Sequence, residues 1–130
     1  MKNTCDFPAF TASRIQDNFI HIEMKRIKKL TSSDVAQMYD CFRRGGDGKG
    51  VFALVSFKGY IPMSDDAMAE ARKPENQKHV RATAYVIRSA AFRIAIKFFM
   101  NFSKPKHPLN IFGTKIAALA WLEQMQKEIA

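Results

Sequence analysis

Ser89-Ala90-Ala91-Phe92-Arg93-Ile94-Ala95-Ile96-Lys97-Phe98-Phe99-Met100-Asn101-Phe102, followed by Ser103-Lys104-Pro105-Lys106-His107-Pro108, is the stretch that decides how this chain is read. In its first part Phe92, Ala95, Phe99 and Phe102 recur at helical spacing, widened by Ile96. Arg93 and Lys97 lie one turn apart on another side of the same helix. The second part cannot continue that helix. Proline fixes φ and removes an N–H, so Pro105 and Pro108 make a stiff connection. Leu109-Asn110-Ile111-Phe112 then has the length of a short strand. Gly113-Thr114-Lys115 opens a last helix, whose expected core face is Ile116, Leu119, Leu122 and Met125, with Trp121-Leu122 fastening it to a sheet.

Working outward toward the N-terminus, Val80 to Ile87 is a mostly apolar run, and Val51-Phe52-Ala53-Leu54-Val55 is wholly apolar, as a central strand buried on both faces should be. Between them Ser64 has the chemistry of an N-cap. Asp65 and Asp66 fall in the first turn of its helix, and Pro74 marks a break. Ala67, Ala69 and Ala71 keep this helix narrow. Before the central run, Thr31 and Asp34 form a capping pair for a helix carrying Val35, Met38, Tyr39 and Phe42. Earlier still, Thr11 to Gln16 and Phe19 to Ile27 read as a hairpin around Asp17-Asn18, two residue types that tolerate positive φ. Ile20, Ile22 and Met24 alternate with His21, Glu23 and Lys25, so the second strand is expected to bury one face and leave the other wet or covered by a partner.

Strands alternating with helices imply a mixed, mostly parallel sheet of about five strands with about four helices and an N-terminal β-hairpin, an α/β fold. Its 130 residues suit a single domain spanning 1–130, with 1–9 as a flexible lead-in. Hydrophobic residues make up 47% of the chain, which separates it from disordered sequences. The absence of an apolar run of about 18 residues or of a signal peptide points to a cytoplasmic protein without a membrane span. Cys5 and Cys41 are isolated thiols, expected to be reduced.

The closing motifs resemble those of small bacterial STAS-like proteins, which share the fold of anti-sigma-factor antagonists. The counterparts are Ala71-Arg72, Phe98-Phe99-Met100-Asn101-Phe102, Lys104-Pro105-Lys106-His107-Pro108, Ile111-Phe112 and Ala118-Leu119-Ala120-Trp121-Leu122. The resemblance implies a non-catalytic regulatory or interaction domain with no cofactor. It also implies a phosphorylation point at the start of the helix after the central strand, where this chain has Ser64. The family's Asp-Ser-Ser-Gly type signature is missing, since the chain reads Met63-Ser64-Asp65-Asp66-Ala67, and two acids repel a phosphate there.

The formal net charge is +9, and it is uneven: residues 1–80 hold 13 basic and 10 acidic side chains, residues 81–130 hold 8 and 2. Such a bias serves solubility and attraction to acidic partners. It comes without a dense basic run or a helix-turn-helix pattern, which argues against nucleic acid. Gly45 to Gly50 is not a phosphate loop, because it follows a helix and Lys49 is followed by Gly50. His21, His79 and His107 lack metal-ligand spacing, Cys41 lies away from any helix N-terminus, and no pair of carboxylates suits acid–base chemistry, so neither a metal site nor a catalytic set is expected.

In open α/β sheets ligands collect at the carboxyl ends of the strands. Lys58 and Tyr60, Ser64, Arg88 and Ser89, with Thr114 and Lys115, should gather there. Lys58, Ser64, Arg88 and Ser89 form the candidate anion-binding group, with two helix N-termini contributing. The plainer reading makes the serines caps and the cations solvated. The phenylalanine stripe from Phe92 suits either a core or the lining of a lipid pocket. Two functions follow: recognition of a protein partner, including self-association as a homodimer, or carriage of a small anionic or lipid-like ligand.

Overall fold

The computed structural model describes the backbone at residues 4–103 and 106–129, and side-chain surroundings at all of these except 99–103. The hairpin forms where expected. β2 (Phe10–Gln16) and β3 (Phe19–Met24) are antiparallel and turn at Asp17-Asn18, with Asn18 at φ 64°. The segment expected to be a flexible lead-in instead supplies β1 (Thr4–Asp6), which pairs with Thr11 to Ser13 of β2. Lys25 explains why: its Nζ reaches the Asp6 carboxylate at 2.6 Å and donates to the Phe7 carbonyl at 2.6 Å, tying the N-terminus to the end of β3.

Next come α1 (Ser32–Gly45), β4 (Val51–Ser56), α2 (Asp65–Arg72) and α3 (Pro74–Gln77). The chain continues through β5 (Val80–Val86), α4 (Ala90–Ser103), β6 (Leu109–Phe112) and α5 (Lys115–Ile129). The described residues therefore hold six strands and five helices, one more of each than expected. Pro74 does break α2, but it also starts α3, because a residue without an N–H is well placed in a first helical turn. The capping box of α1 is complete: Asp34 N–H donates to Thr31 Oγ1, and Thr31 N–H donates back to the Asp34 carboxylate.

The strands lie in the order β1-β2-β3-β4-β5-β6, antiparallel up to β3 and parallel from β3 onward. Alternation along them sorts the core. Ile20, Ile22, Val51, Ala53 and Val55 face α1 and α2, together with Val35, Met38, Phe42 and Ala67. Phe19, Phe52, Leu54, Ala82, Ala84 and Val86 face α5, meeting Ala118 and Leu122. Two expectations are corrected here. Ile116 is 84% exposed, because it lies about 160° around the helix from Ala118 and the buried stripe runs through Ala118 and Leu122. His21 is buried, not wet, and its Nε2 sits 2.8 Å from Ser56 Oγ.

α4 behaves differently from the other long helices. Its first turn is held by Ser89, whose Oγ accepts the Phe92 N–H, and by Arg93, whose guanidinium donates to the carbonyls of Ile87 and Arg88 at 2.7 and 2.9 Å. Beyond that turn, Ile96 is half-buried, while Ile94 and Phe98 are 69% and 66% exposed. Of the expected stripe, Phe92 is buried and Ala95 exposed. The side chains of Phe99 and Phe102, and the loop residues Lys104 and Pro105, lie outside the described residues.

Candidate functional site

Where α4 stands over the sheet, the packing is incomplete. A partly enclosed cavity of about 370 Å³ lies against the α1/α2 face of the sheet. Its floor is Val55 of β4, Thr83 and Tyr85 of β5, and Leu109 of β6. Val35, Met38, Tyr39 and Phe42 of α1 form one wall, continued by Met68, Ala71 and Arg72 of α2 and Gln77 of α3. Phe92 and Ile96 of α4 form the opposite wall. Four of the chain's seven methionines, Met24, Met38, Met63 and Met68, line it, giving a lining that can reshape around a guest.

The two ends of the cavity differ chemically. α2 and α4 both start at the carboxyl ends of the strands and run back toward their amino ends. At the carboxyl end the residues are aromatic. Phe57 meets Tyr85 and Phe92 edge-on at 5.7 and 5.4 Å, and Tyr60 meets Phe92 at 5.1 Å. At the amino end they are polar. Gln77 precedes β5, and His107 precedes β6 and sits with its Nε2 2.9 Å from Thr83 Oγ1. Gln77 Nε2 donates to the Ala71 carbonyl and, at 3.3 Å, to the Tyr39 hydroxyl. Among the described residues, Gln77 Oε1 and His107 Nδ1 are buried without a hydrogen-bond partner.

Burial governs the protonation of this polar end. It lowers His107 to about 4, so its imidazole is neutral near pH 7. It raises the Tyr39 phenol first, with Tyr85 adding to the rise and the Gln77 hydrogen bond opposing it. Tyr85 is raised by burial alone. Arg72 and Lys106 also line the cavity; both residues are exposed, and no carboxylate is among the described lining residues.

The residues singled out from the sequence lie elsewhere. Ser64 and Ser89 are N-caps of α2 and α4, with Ser64 Oγ accepting the Ala67 N–H at 3.0 Å. Lys58 lies in the turn after β4, and Arg88 in the segment between β5 and α4; both are exposed. All four sit at the carboxyl edge of the sheet, and no described hydrogen bond or ion pair joins any two of them. A smaller depression at that edge is formed by Lys25, Arg26, Ile27, Gly59, Tyr60 and Ile61. Cys41 is buried and its thiol is pushed up, first by burial. Among the described residues, no three His, Cys, Asp or Glu side chains gather as a metal set, and no helix is long and apolar enough to cross a membrane.

Sequence reasoning allowed a lipid pocket along the stripe from Phe92, but it did not name the rest of the lining, because every lining position fits core spacing equally well. Two signals point to it: Thr83 as a polar residue inside an apolar strand, and the clustering of methionines before residue 70.

A family described as a domain of unknown function, DUF7793, matches residues 13–126, and the chain belongs to that family. No curated protein matches. Among solved structures, the chain is similar to an uncharacterised protein of the DUF3478 family with a SpoIIAA-like fold from Shewanella loihica PV-4. Identity is 22%, with 88% of this chain and 92% of that chain covered at a TM-score of 0.63. That likeness shows the fold, the STAS-like fold expected from the closing motifs.

Proposed function

We propose that this member of the DUF7793 family is a non-catalytic STAS-like domain that binds an apolar small molecule between its sheet and helices α1, α2 and α4. The cavity carries this reading. Its volume of about 370 Å³ falls within the range of about 300–1,000 Å³ typical of small-ligand sites. Most of its lining is apolar, which favours an apolar guest over water.

Uptake of an environment-sensitive naphthyl fluorophore tests this. Bright, blue-shifted emission is expected with the native chain, and its loss with Ala71→Phe, which fills the cavity. Dark fluorophore with a folded native chain would refute the reading.

A second reading, recognition of a protein partner, is favoured by the outward side of α4, where Ile94 is 69% exposed and Arg93 and Lys97 are close by. In it Lys58 and Arg88 contribute charge toward an acidic partner, with Ser64 as a modification point. Self-association through α4 predicts a dimer in light scattering that Ile94→Lys dissociates. A monomer at high concentration counts against it.

A further inference from the structure

We infer that the guest is an anionic amphiphile: its apolar body fills the cavity, and its negatively charged head stays in water at the rim, beside Arg72 and Lys106. The inference rests on the binding reading above and adds the charge of the head group.

The lining of the cavity is sorted by exposure. Among its described residues Arg72 and Lys106 are exposed, and every other one is buried or half-buried. These two are also the charged ones, and both are cations. Arg72 closes α2, and Lys106 lies three residues before β6 begins. Because α2 runs back toward the amino ends of the strands, both cations stand at the amino edge of the sheet. The chain beside each is held in place: the Ala71 carbonyl accepts the Gln77 amide, and His107 pairs with Thr83. The anion site expected from the sequence, near Lys58 and Arg88, lies at the other edge.

Negative charge is scarce around them. Residues 76–122 include eight lysines and arginines and no Asp or Glu. On the α2 side both oxygens of Glu70 are engaged, one by Lys73 at 3.0 Å and the other by Asn76 at 2.7 Å. Asp65 and Asp66 lie in the first turn, at the opposite end of α2, and Glu75 does not line the cavity. The interior offers a head group no counter-charge, because burial keeps the phenols of Tyr39 and Tyr85 protonated and the His107 ring neutral near pH 7. A charge drawn in there would lose its hydration without compensation. A head left at the rim keeps its water, and two cations there attract an anion and repel a cation. The head need not touch both side chains at once, since attraction between charges reaches about 10 Å at 0.1 M salt.

The experiment is displacement of an uncharged fluorophore, N-phenyl-1-naphthylamine, by dodecanoate, dodecyl phosphate and dodecyltrimethylammonium, each below its micellar concentration and at low salt. Chain length is matched, so the head group sets the difference. At least one anion is expected to displace at about tenfold lower concentration than the cation, as two exposed charge pairs of ordinary strength allow. The order of the two anions tells a carboxylate head from a phosphate head. In the double variant Arg72→Gln/Lys106→Gln the advantage should shrink to about twofold, with uptake of the fluorophore unchanged. In Lys115→Gln/Lys127→Gln, which removes the same charge from α5 on the other face, it should stay at about tenfold. If the first double variant loses the cavity, Lys106→Gln alone should lower the advantage to about threefold. Equal displacement by anions and cation in the native chain, an undiminished advantage in the rim variants, or an equal loss in the α5 variant overturns the anionic head while binding stands. Failure of the fluorophore to enter, or of all three competitors to displace it, overturns the binding reading itself.

Discussion

The two faces of this sheet are covered in different ways. Toward α5, β5 presents Ala82, Ala84 and Val86, and the helix answers with Ala118 and Leu122. Small residues on both partners let helix and sheet close to contact, with a half-buried rim of Ile15, Phe112, Leu119, Trp121 and Met125. Toward α4 the same strand presents Thr83 and Tyr85, and the rings of Phe57 and Phe92 stand between helix and sheet. Bulky aromatic contacts at one end hold α4 off and leave the cavity beneath it. A shift of one residue along β5 thus changes the sheet from a sealed surface to a receptive one. Stability and binding are divided between the faces.

The largest test of that division is a pair of truncations. Leu122→Ala, at a fully buried position, should cost about 2–5 kcal/mol in urea unfolding. Ile96→Ala, at the cavity edge, should cost about 1 kcal/mol or less. Equal losses would mean that α4 seals its face as tightly as α5.

Titration gives the next contrast. Each face holds a histidine whose pKa is lowered first by burial: His21 on the α5 face, where Lys115 adds to the lowering and Glu23 opposes it, and His107 on the cavity face, at about 4. A neutral ring buried in the fold binds its proton less readily than in the unfolded chain. Stability is therefore complete above the ordinary value of 6.5, falls as pH drops through the window from 6.5 to about 4, and levels off below it. For His107 the loss amounts to roughly 3 kcal/mol. Urea unfolding across that window should become markedly flatter in His107→Leu, with His21 left to supply a residual slope. An unchanged profile would show that the His107 ring is solvated.

The smallest contrast concerns the caps. Ser64→Ala should lower stability by about 1 kcal/mol, because α2 packs against α1. Ser89→Ala should cost about half as much in global unfolding, because α4 contributes less to the sealed core. Hydrogen exchange should still show the α4 amides opening faster.

Much of the fold was legible because local chemistry and global packing agree. Asp17-Asn18 turns where it should, Thr31 with Asp34 and Ser64 cap where they should, and the apolar run from Val51 is central. β1 was not legible: Thr4-Cys5-Asp6 has no pattern of its own and depends on Lys25, nineteen residues beyond Asp6 in the chain. The buried stripe of α5 was misread by a fraction of a turn, because Ile116 and Ala118 are both apolar and only the sheet chooses between them. The candidate site was the least legible. The carboxyl-edge rule drew attention to Lys58, Ser64, Arg88 and Ser89, whereas the buried unpaired atoms belong to Gln77 and His107 near the opposite edge. Beyond Thr83 and the early methionines, a missing contact leaves little mark in a sequence, since a residue lining a void and a residue filling one obey the same spacing.

The order of the six strands in space repeats their order in the chain. Every strand therefore finds its partner in the strand made just before it, and no strand must be threaded between two already in place. Such a sheet can grow in the direction of synthesis, as domains assemble from the N-terminus during translation. Its growing edge would be β3, then β4, then β5, and only the short β6 is left as the final parallel edge, too brief to recruit another chain easily. The sealed face, which needs α5, is completed after the cavity face, because α5 follows α1, α2 and α4 in the chain.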